Sequence, residues 1–259
     1  MKGFLILMSF MTRLYVPRIE YNEEKLGKSM KFFPLIGFII GVILVLITLI
    51  VNALTGSLLV SILFMIIAEV VITGGIHLDG LADTFDGIFS YRSKQKMLEI
   101  MKDSRLGTNG VLVLIIYFLL KFFLILDFTQ ANVSLKGWLL YLILTYPVIA
   151  RLASVVSCAS APYARASGKG KTFVDNTKSK EVVISFIITV LLLFLSLYLV
   201  DGKFALLVFG SFQAIFIFFI FPPSIIVFFA FLLSKLMVRK IDGITGDTVG
   251  AILKVSEIL

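Results

Sequence analysis

The segment Gly74–Gly110, GGIHLDGLADTFDGIFSYRSKQKMLEIMKDSRLGTNG, carries aspartates Asp79, Asp83 and Asp86 at spacings i, i+4 and i+7. On a helix that spacing puts all three on one face. Like charges so placed repel, and a divalent cation among them resolves the conflict. Oxygen-only ligands suit Mg²⁺ or Mn²⁺, and Mg²⁺ takes a few carboxylates and fills its other positions with water and substrate phosphates. A fourth carboxylate, Asp103, follows beside Lys102 and Arg105. Metal-holding acids next to phosphate-holding cations make a layout for phosphoryl transfer. The bland alternative, a solvated polar face, explains neither the glycines among the acids (Gly74, Gly75, Gly80, Gly87) nor the apolar segment directly before them. His77 is the only histidine; without a partner it argues against zinc and suits a substrate contact, a base or a loop hydrogen-bonder. Glu69, four residues before the end of that apolar segment, is a further candidate metal ligand, or a group that reaches the interface.

The elements that must position these residues are membrane helices. The chain of 259 residues is 59% hydrophobic and only 15% charged, with 25 phenylalanines, and its mean hydropathy is +1.05. Stretches 32–51 and 182–200 contain no charge, and about 20 such residues cross roughly 30 Å of hydrocarbon. The fold class expected is therefore all-α: a polytopic helical bundle of about six to seven transmembrane helices, one domain over 1–259. The single cysteine, Cys158, excludes an internal disulfide and a cysteine-built metal site. A net charge of +8 fits basic residues gathered on the cytoplasmic side of a membrane, not a nucleic-acid partner.

Spans are expected at 32–51, 58–73, 111–126, 137–157 and 182–200. Residues 1–31 form a basic, cytoplasmic or interfacial N-terminus; the apolar run after Lys2 is short, is interrupted by Arg13, and reads as a retained interfacial helix. Residues 74–110 and the basic loop 159–181, which carries Arg165 and Lys169, then face the cytoplasm. The apolar stretch 204–238 is broken by Pro222-Pro223; one crossing plus a broken or re-entrant piece leaves the tail 239–259 cytoplasmic. Ser93–Met101 is expected to form an amphipathic helix capped by Ser93 that returns Asp103 and Arg105 toward the acids. Arg151, inside a span, either pairs with Glu69 or serves the site.

At these residues the chain resembles the cobalamin synthase (adenosylcobinamide-GDP ribazoletransferase) family. The motifs are SFMTRLYVP (Ser9–Pro17), FFPLIG (Phe32–Gly37), TGGIHLDGLADTFDGIFSYRS (Thr73–Ser93), LEIMKDSRLGTNG (Leu98–Gly110), YARASGKGKTF (Tyr163–Phe173) and GITGDTVGA (Gly243–Ala251). The resemblance implies a Mg²⁺-dependent transferase of the bacterial or archaeal cytoplasmic membrane, with its active site on the cytoplasmic face. It would join adenosylcobinamide-GDP to α-ribazole or its 5′-phosphate and release GMP, late in cobalamin biosynthesis. On that reading Asp79, Asp83 and Asp86 hold the metal, with Glu69 a further candidate. Asp103, Asp83 and His77 are the catalytic candidates. Arg13, Arg105, Arg165, Lys169 and Asp247 are the substrate and phosphate candidates. Membrane lipids are implied partners, and a homo-oligomer or a complex with other corrinoid enzymes is compatible. Asp242 stands where the family often has glycine. DTFDG (Asp83–Gly87) also matches the start of the CDP-alcohol phosphotransferase motif, but the rest of that pattern is missing, so such an enzyme is the alternative. An ion-coupled transporter, which would carry its site at mid-membrane, ranks lower.

Overall fold

A computed structural model describes residues 2–17, 19, 20, 22–130 and 135–259. Among them every regular element is helical, apart from one isolated parallel bridge between Tyr163 and Ile244. A short helix α1 (Lys2–Met11) buries Ile6, Leu7 and Met11, and α2 (Glu23–Lys28) leads through a 3₁₀ turn into the first long helix, α3 (Phe33–Thr55). Pro34 stands in the first turn of α3, where its missing N–H costs nothing. Gly56, at φ +64°, ends α3 in the left-handed conformation, and α4 (Leu58–Thr73) starts at Ser57, whose hydroxyl accepts from the Val60 N–H.

Two glycines set the geometry that matters most. Gly74 and Gly75 adopt φ +62° and +70° in succession, a left-handed pair that side chains resist. They turn the chain by 88°, so that α5 (Ile76–Ile88) lies across the end of α4 instead of extending it. The short α6 (Lys94–Ile100) follows, then α7 (Thr108–Gln130), α8 (Leu135–Ser160), α9 (Lys171–Asn176), α10 (Ser179–Val200), α11 (Gly202–Phe209), α12 (Phe212–Ile215), α13 (Phe221–Ile241) and α14 (Gly246–Ser256).

Among the described residues five helical stretches are long and apolar enough to cross a membrane, or six if the bent α4–α5 pair counts as one span, against the six to seven expected. α8 is the hub. It packs against α3, α10, α13 and α14, with Leu152, Ala153 and Val155 fully enclosed. α7 turns Leu112, Ile116, Leu119 and Phe123 outward, as a lipid-facing helix does. The apolar stretch after residue 204 contains the short α11, a break at Gly210-Ser211, and one helix running from Phe212 to Ile241. Pro222-Pro223 does not interrupt it. The prolines fall in the first turn of α13, directly after a π-helical turn at Phe216–Ile220 that absorbs the lost hydrogen bonds. One crossing plus a short piece therefore brings the tail back, and α14 packs along α5.

Candidate functional site

The contact between α5 and α14 is close because glycines make it so. A Cβ on Gly80 would sit 2.7 Å from the Asp247 carbonyl oxygen, and one on Gly250 would meet the His77 backbone at 3.3 Å. This approach sets Asp247, in the first turn of α14, beside the acidic face of α5. The turn before α14 is fixed twice over. Thr245 and Thr248 cap each other reciprocally. The Ile244 N–H donates to the Pro162 carbonyl at 2.9 Å, and the Ala164 N–H to the Ile244 carbonyl at 2.8 Å. Those two bonds dock the basic loop against α14, where Arg165 Nη2 lies 2.9 Å from Asp247 Oδ2. On the other side, the Arg13 N–H donates to the Ile72 carbonyl at 2.7 Å, and its guanidinium lies over Gly74, where a Cβ would come within 2.3 Å.

Two of the cavities at this end of the bundle border the acidic face of α5. The wider, of about 710 Å³, is lined by Arg13, Gly74, Asp79, Asp83, Lys102 and Asp103. The narrower, of about 290 Å³, has apolar walls and a rim of Arg165, Lys169 and Asp247. Asp79 borders both. Burial, then the neighbouring charges of Asp79, Asp247 and Asp86, push the Asp83 carboxyl up to about 7. Arg105 does the opposite for Asp103. Its Nε and Nη2 hydrogen-bond the carboxylate at 3.0 and 2.6 Å and, with the Arg105 backbone N–H, hold it at about 2. Burial, with the Arg151 and Lys254 cations, keeps His77 neutral, well below the usual imidazole range.

The fit to a divalent cation rests on Asp79 and Asp83. Among the described residues no side-chain hydrogen bond or ion pair engages either carboxylate, and Asp83 is raised first by burial and then by the carboxylates around it. No group of three or more His, Cys, Asp or Glu side chains among the described residues is arranged around one point. Two free carboxylates one helical turn apart suit Mg²⁺, which leaves its remaining positions to water and phosphate oxygens.

Several expected roles fall elsewhere. Asp86, expected as a third ligand, accepts the Gly107 N–H at 2.7 Å and the Gly110 N–H at 2.8 Å. Both oxygens are thereby engaged at the N-terminus of α7, where a carboxylate satisfies helix-end donors. Glu69 is enclosed within the bundle, with oxygens taken by Lys121 at 2.5 Å, Lys254 at 2.7 Å and Tyr146 at 2.7 Å; nothing remains for a metal. Nor does it pair with Arg151, which instead donates to the Pro147 carbonyl at 2.8 Å and lies over the Phe33 ring. Ser93 stands at the start of α6 but makes no capping bond. Asp242 takes φ +63° at the end of α13 and pairs with Lys94, which explains why glycine suits that position. Sequence reasoning missed Lys121, Lys254 and Glu257. The two lysines and two glutamates form a closed, net-neutral ring, completed by Lys121–Glu257 at 2.8 Å and Lys254–Glu257 at 3.0 Å. The signal was present, since Lys121 is a charge inside an apolar span.

The family model described as Cobalamin-5-phosphate synthase matches residues 3–259. A protein of Fusobacterium nucleatum, named adenosylcobinamide-GDP ribazoletransferase, is 50% identical over 269 residues, covering 100% of this chain and 95% of its own. Relatives of the same name from Clostridioides difficile and Alkaliphilus oremlandii are each 36% identical, over 100% of this chain and 95% of theirs. No solved structure matches. With its motifs spread along the whole chain and gathered at one end of the bundle, the chain belongs to the cobalamin-5-phosphate synthase family.

Proposed function

We propose that the chain is an adenosylcobinamide-GDP ribazoletransferase, joining adenosylcobinamide-GDP to α-ribazole or its 5′-phosphate with release of GMP. The observation that carries the reading is the position of Asp79 on the boundary between a wide polar cavity and a narrow one with a basic rim. The wide cavity takes the diphosphate of the corrinoid substrate, whose ring system is too large for either and stays outside. Arg13 and Lys102 face the phosphates there. The narrow cavity takes the acceptor, and Arg165 and Lys169 at its rim suit a 5′-phosphate.

In the reaction a ribose hydroxyl attacks the cobinamide-side phosphorus, the bond to the bridging oxygen breaks, and GMP departs. Asp103 is a carboxylate at neutral pH and Arg105 fixes its position; it accepts a hydrogen bond from the attacking hydroxyl and orients it, and the proton leaves with GMP or to water. Asp79 and Asp83 would hold Mg²⁺, which when bound offsets charge on both phosphates and on the departing group. The site end also carries Lys94, Lys96, Lys169, Lys171, Lys178 and Lys180, a basic bias that supports a site on the cytoplasmic face of the cytoplasmic membrane. The test is GMP release by detergent-purified protein given both substrates, with and without Mg²⁺. Release that requires Mg²⁺ and falls at least about 100-fold in Asp83→Asn, the scale of a lost electrostatic group, supports the reading. Undiminished turnover in Asp83→Asn removes it.

A further inference from the structure

The narrow cavity has a chemical character of its own. Phe10, Met11, Met30, Phe33 and Phe173 form much of its wall, and the Phe10 and Phe173 rings pack edge to face at 5.4 Å. Two polar side chains interrupt this surface. His77 is 6% exposed and Ser154 0%; both line the cavity, and neither His77 Nδ1 nor Ser154 Oγ has a hydrogen-bond partner. A buried polar atom left unpaired costs about 1–3 kcal/mol, and native structures hold few of them. These two on the wall, with Nε and Nη2 of Arg165 likewise without a hydrogen bond at the rim of the same small cavity, mark a place for a ligand that carries polar atoms.

The balance of surfaces selects among the rings that the proposed reaction involves. A guanine presents donors and acceptors around most of its perimeter, and would set several of them against phenylalanine and methionine. A benzimidazole-type azole carries a single free acceptor, the ring nitrogen not bonded to the sugar, and is otherwise hydrocarbon. At about 290 Å³ the cavity stands at the small end of ligand sites, which run to about 1,000 Å³.

Resting on the proposed transferase reading, we infer that this cavity is the base pocket for the ribazole substrate. The fused hydrocarbon edge lies among Phe10, Met30, Phe33 and Phe173, and the free ring nitrogen accepts a hydrogen bond from Ser154 Oγ, with His77 beside it on the cavity wall. The ribose is then directed toward the rim, where Asp79 and Asp247 stand. His77 is on this account a binding residue. Ser154 determines which base is accepted, because its hydroxyl meets the one polar atom of the ring.

The test measures binding and turnover separately. Calorimetry with α-ribazole on the full-length protein in detergent, without Mg²⁺ and without the corrinoid substrate, is expected to show binding that excess GMP does not displace. Ser154→Ala is expected to weaken it about two- to tenfold, the range of one hydrogen bond. Ser154→Leu, which fills the pocket, is expected to raise KM for α-ribazole by more than about tenfold while KM for adenosylcobinamide-GDP stays unchanged. If Ser154→Leu does not fold, Ser154→Ala alone decides. Displacement of α-ribazole by GMP, or a rise in the corrinoid KM instead of the ribazole KM, would overturn the assignment and give the pocket to guanine. α-Ribazole affinity unchanged in Ser154→Ala also overturns it. Binding of α-ribazole with no GMP release from both substrates would remove the transferase reading and leave the pocket standing.

Discussion

Removing one member of the buried charge ring should cost far more than removing two of opposite sign. Glu69, Lys121, Lys254 and Glu257 are each no more than 3% exposed at the side chain, and their formal charges cancel. Lys254→Met deletes contacts of 2.7 Å to Glu69 and of 3.0 Å to Glu257 and leaves two carboxylates facing one ammonium. Breaking a buried pair in this way costs about 3–5 kcal/mol, because the penalty of the stranded charge is added to the lost attraction. At about 2–4 °C per kcal/mol for a chain approaching this size, the midpoint should fall by roughly 6–20 °C. Glu69→Gln strands a cation instead and should cost a similar amount. The double variant Glu69→Gln/Lys254→Met is neutral again and retains the Lys121–Glu257 pair at 2.8 Å with the Tyr117 hydroxyl donating to Glu257 at 2.5 Å. Its cost should therefore fall short of the sum of the singles by about 1–3 kcal/mol, the coupling usual for contacting groups. Thermal unfolding of the detergent-solubilised protein, followed by retention on a sizing column, gives all four corners of the cycle. Single variants within about 1 kcal/mol of the parent, as for a hydrated surface pair, would refute the claim that the ring is dry, and strictly additive singles would refute the claim that it is one unit.

Two further outcomes follow from the site. Gly80→Ala should push α14 away from α5, because its Cβ would meet the Asp247 backbone and not a movable side chain; overpacking of this kind costs about 1–3 kcal/mol, and GMP release should drop more than tenfold as Asp247 is displaced, measurable by paired melting and turnover assays. The Asp83 carboxyl, raised to about 7 from an ordinary value of 3.8, binds its proton more tightly folded than unfolded. Its contribution is fully present below pH 4 and is lost as pH rises through 7, so chelated parent protein should lose stability across that window while chelated Asp83→Asn should not, and equal pH slopes in the two proteins would contradict the raised, half-buried Asp83 carboxyl.

The spans were legible because hydrocarbon thickness leaves the sequence little choice. α4 runs over the expected 58–73, where Ser57 and Gly74 announce both ends. α7 and α8 run longer than the apolar cores at 111–126 and 137–157, since polar residues such as Thr108, Asn109 and Ser160 continue a helix without adding hydropathy. Proline was misleading for a related reason. A Pro pair suggests a break when the chain is read alone, yet here it follows directly on a π-helical turn that carries the helix past it.

At the site, spacing identified a helix face but not what each residue on it touches. Asp86 belongs to the same face as Asp79 and Asp83, and its partners lie 21 and 24 residues further on. The ring joins Glu69 to positions 52 and 185 residues away, a separation that only packing can close. That ring also answers a difficulty the acidic face creates. Asp79, Asp83 and Asp247 repel one another, so α5 and α14 are not held together by these carboxylates. The attraction comes from deeper in the bundle. Glu69 anchors α4, which turns directly into α5. Lys121 anchors α7, whose start is tied to Asp86. Lys254 and Glu257 anchor α14 and the residue after it. The helix ends that gather at the site, those of α4, α7 and α14, are thus secured about two to four turns away by a neutral ring of charges, and on the proposed reading the repulsion left at the acidic face is what a cation and a diphosphate would relieve.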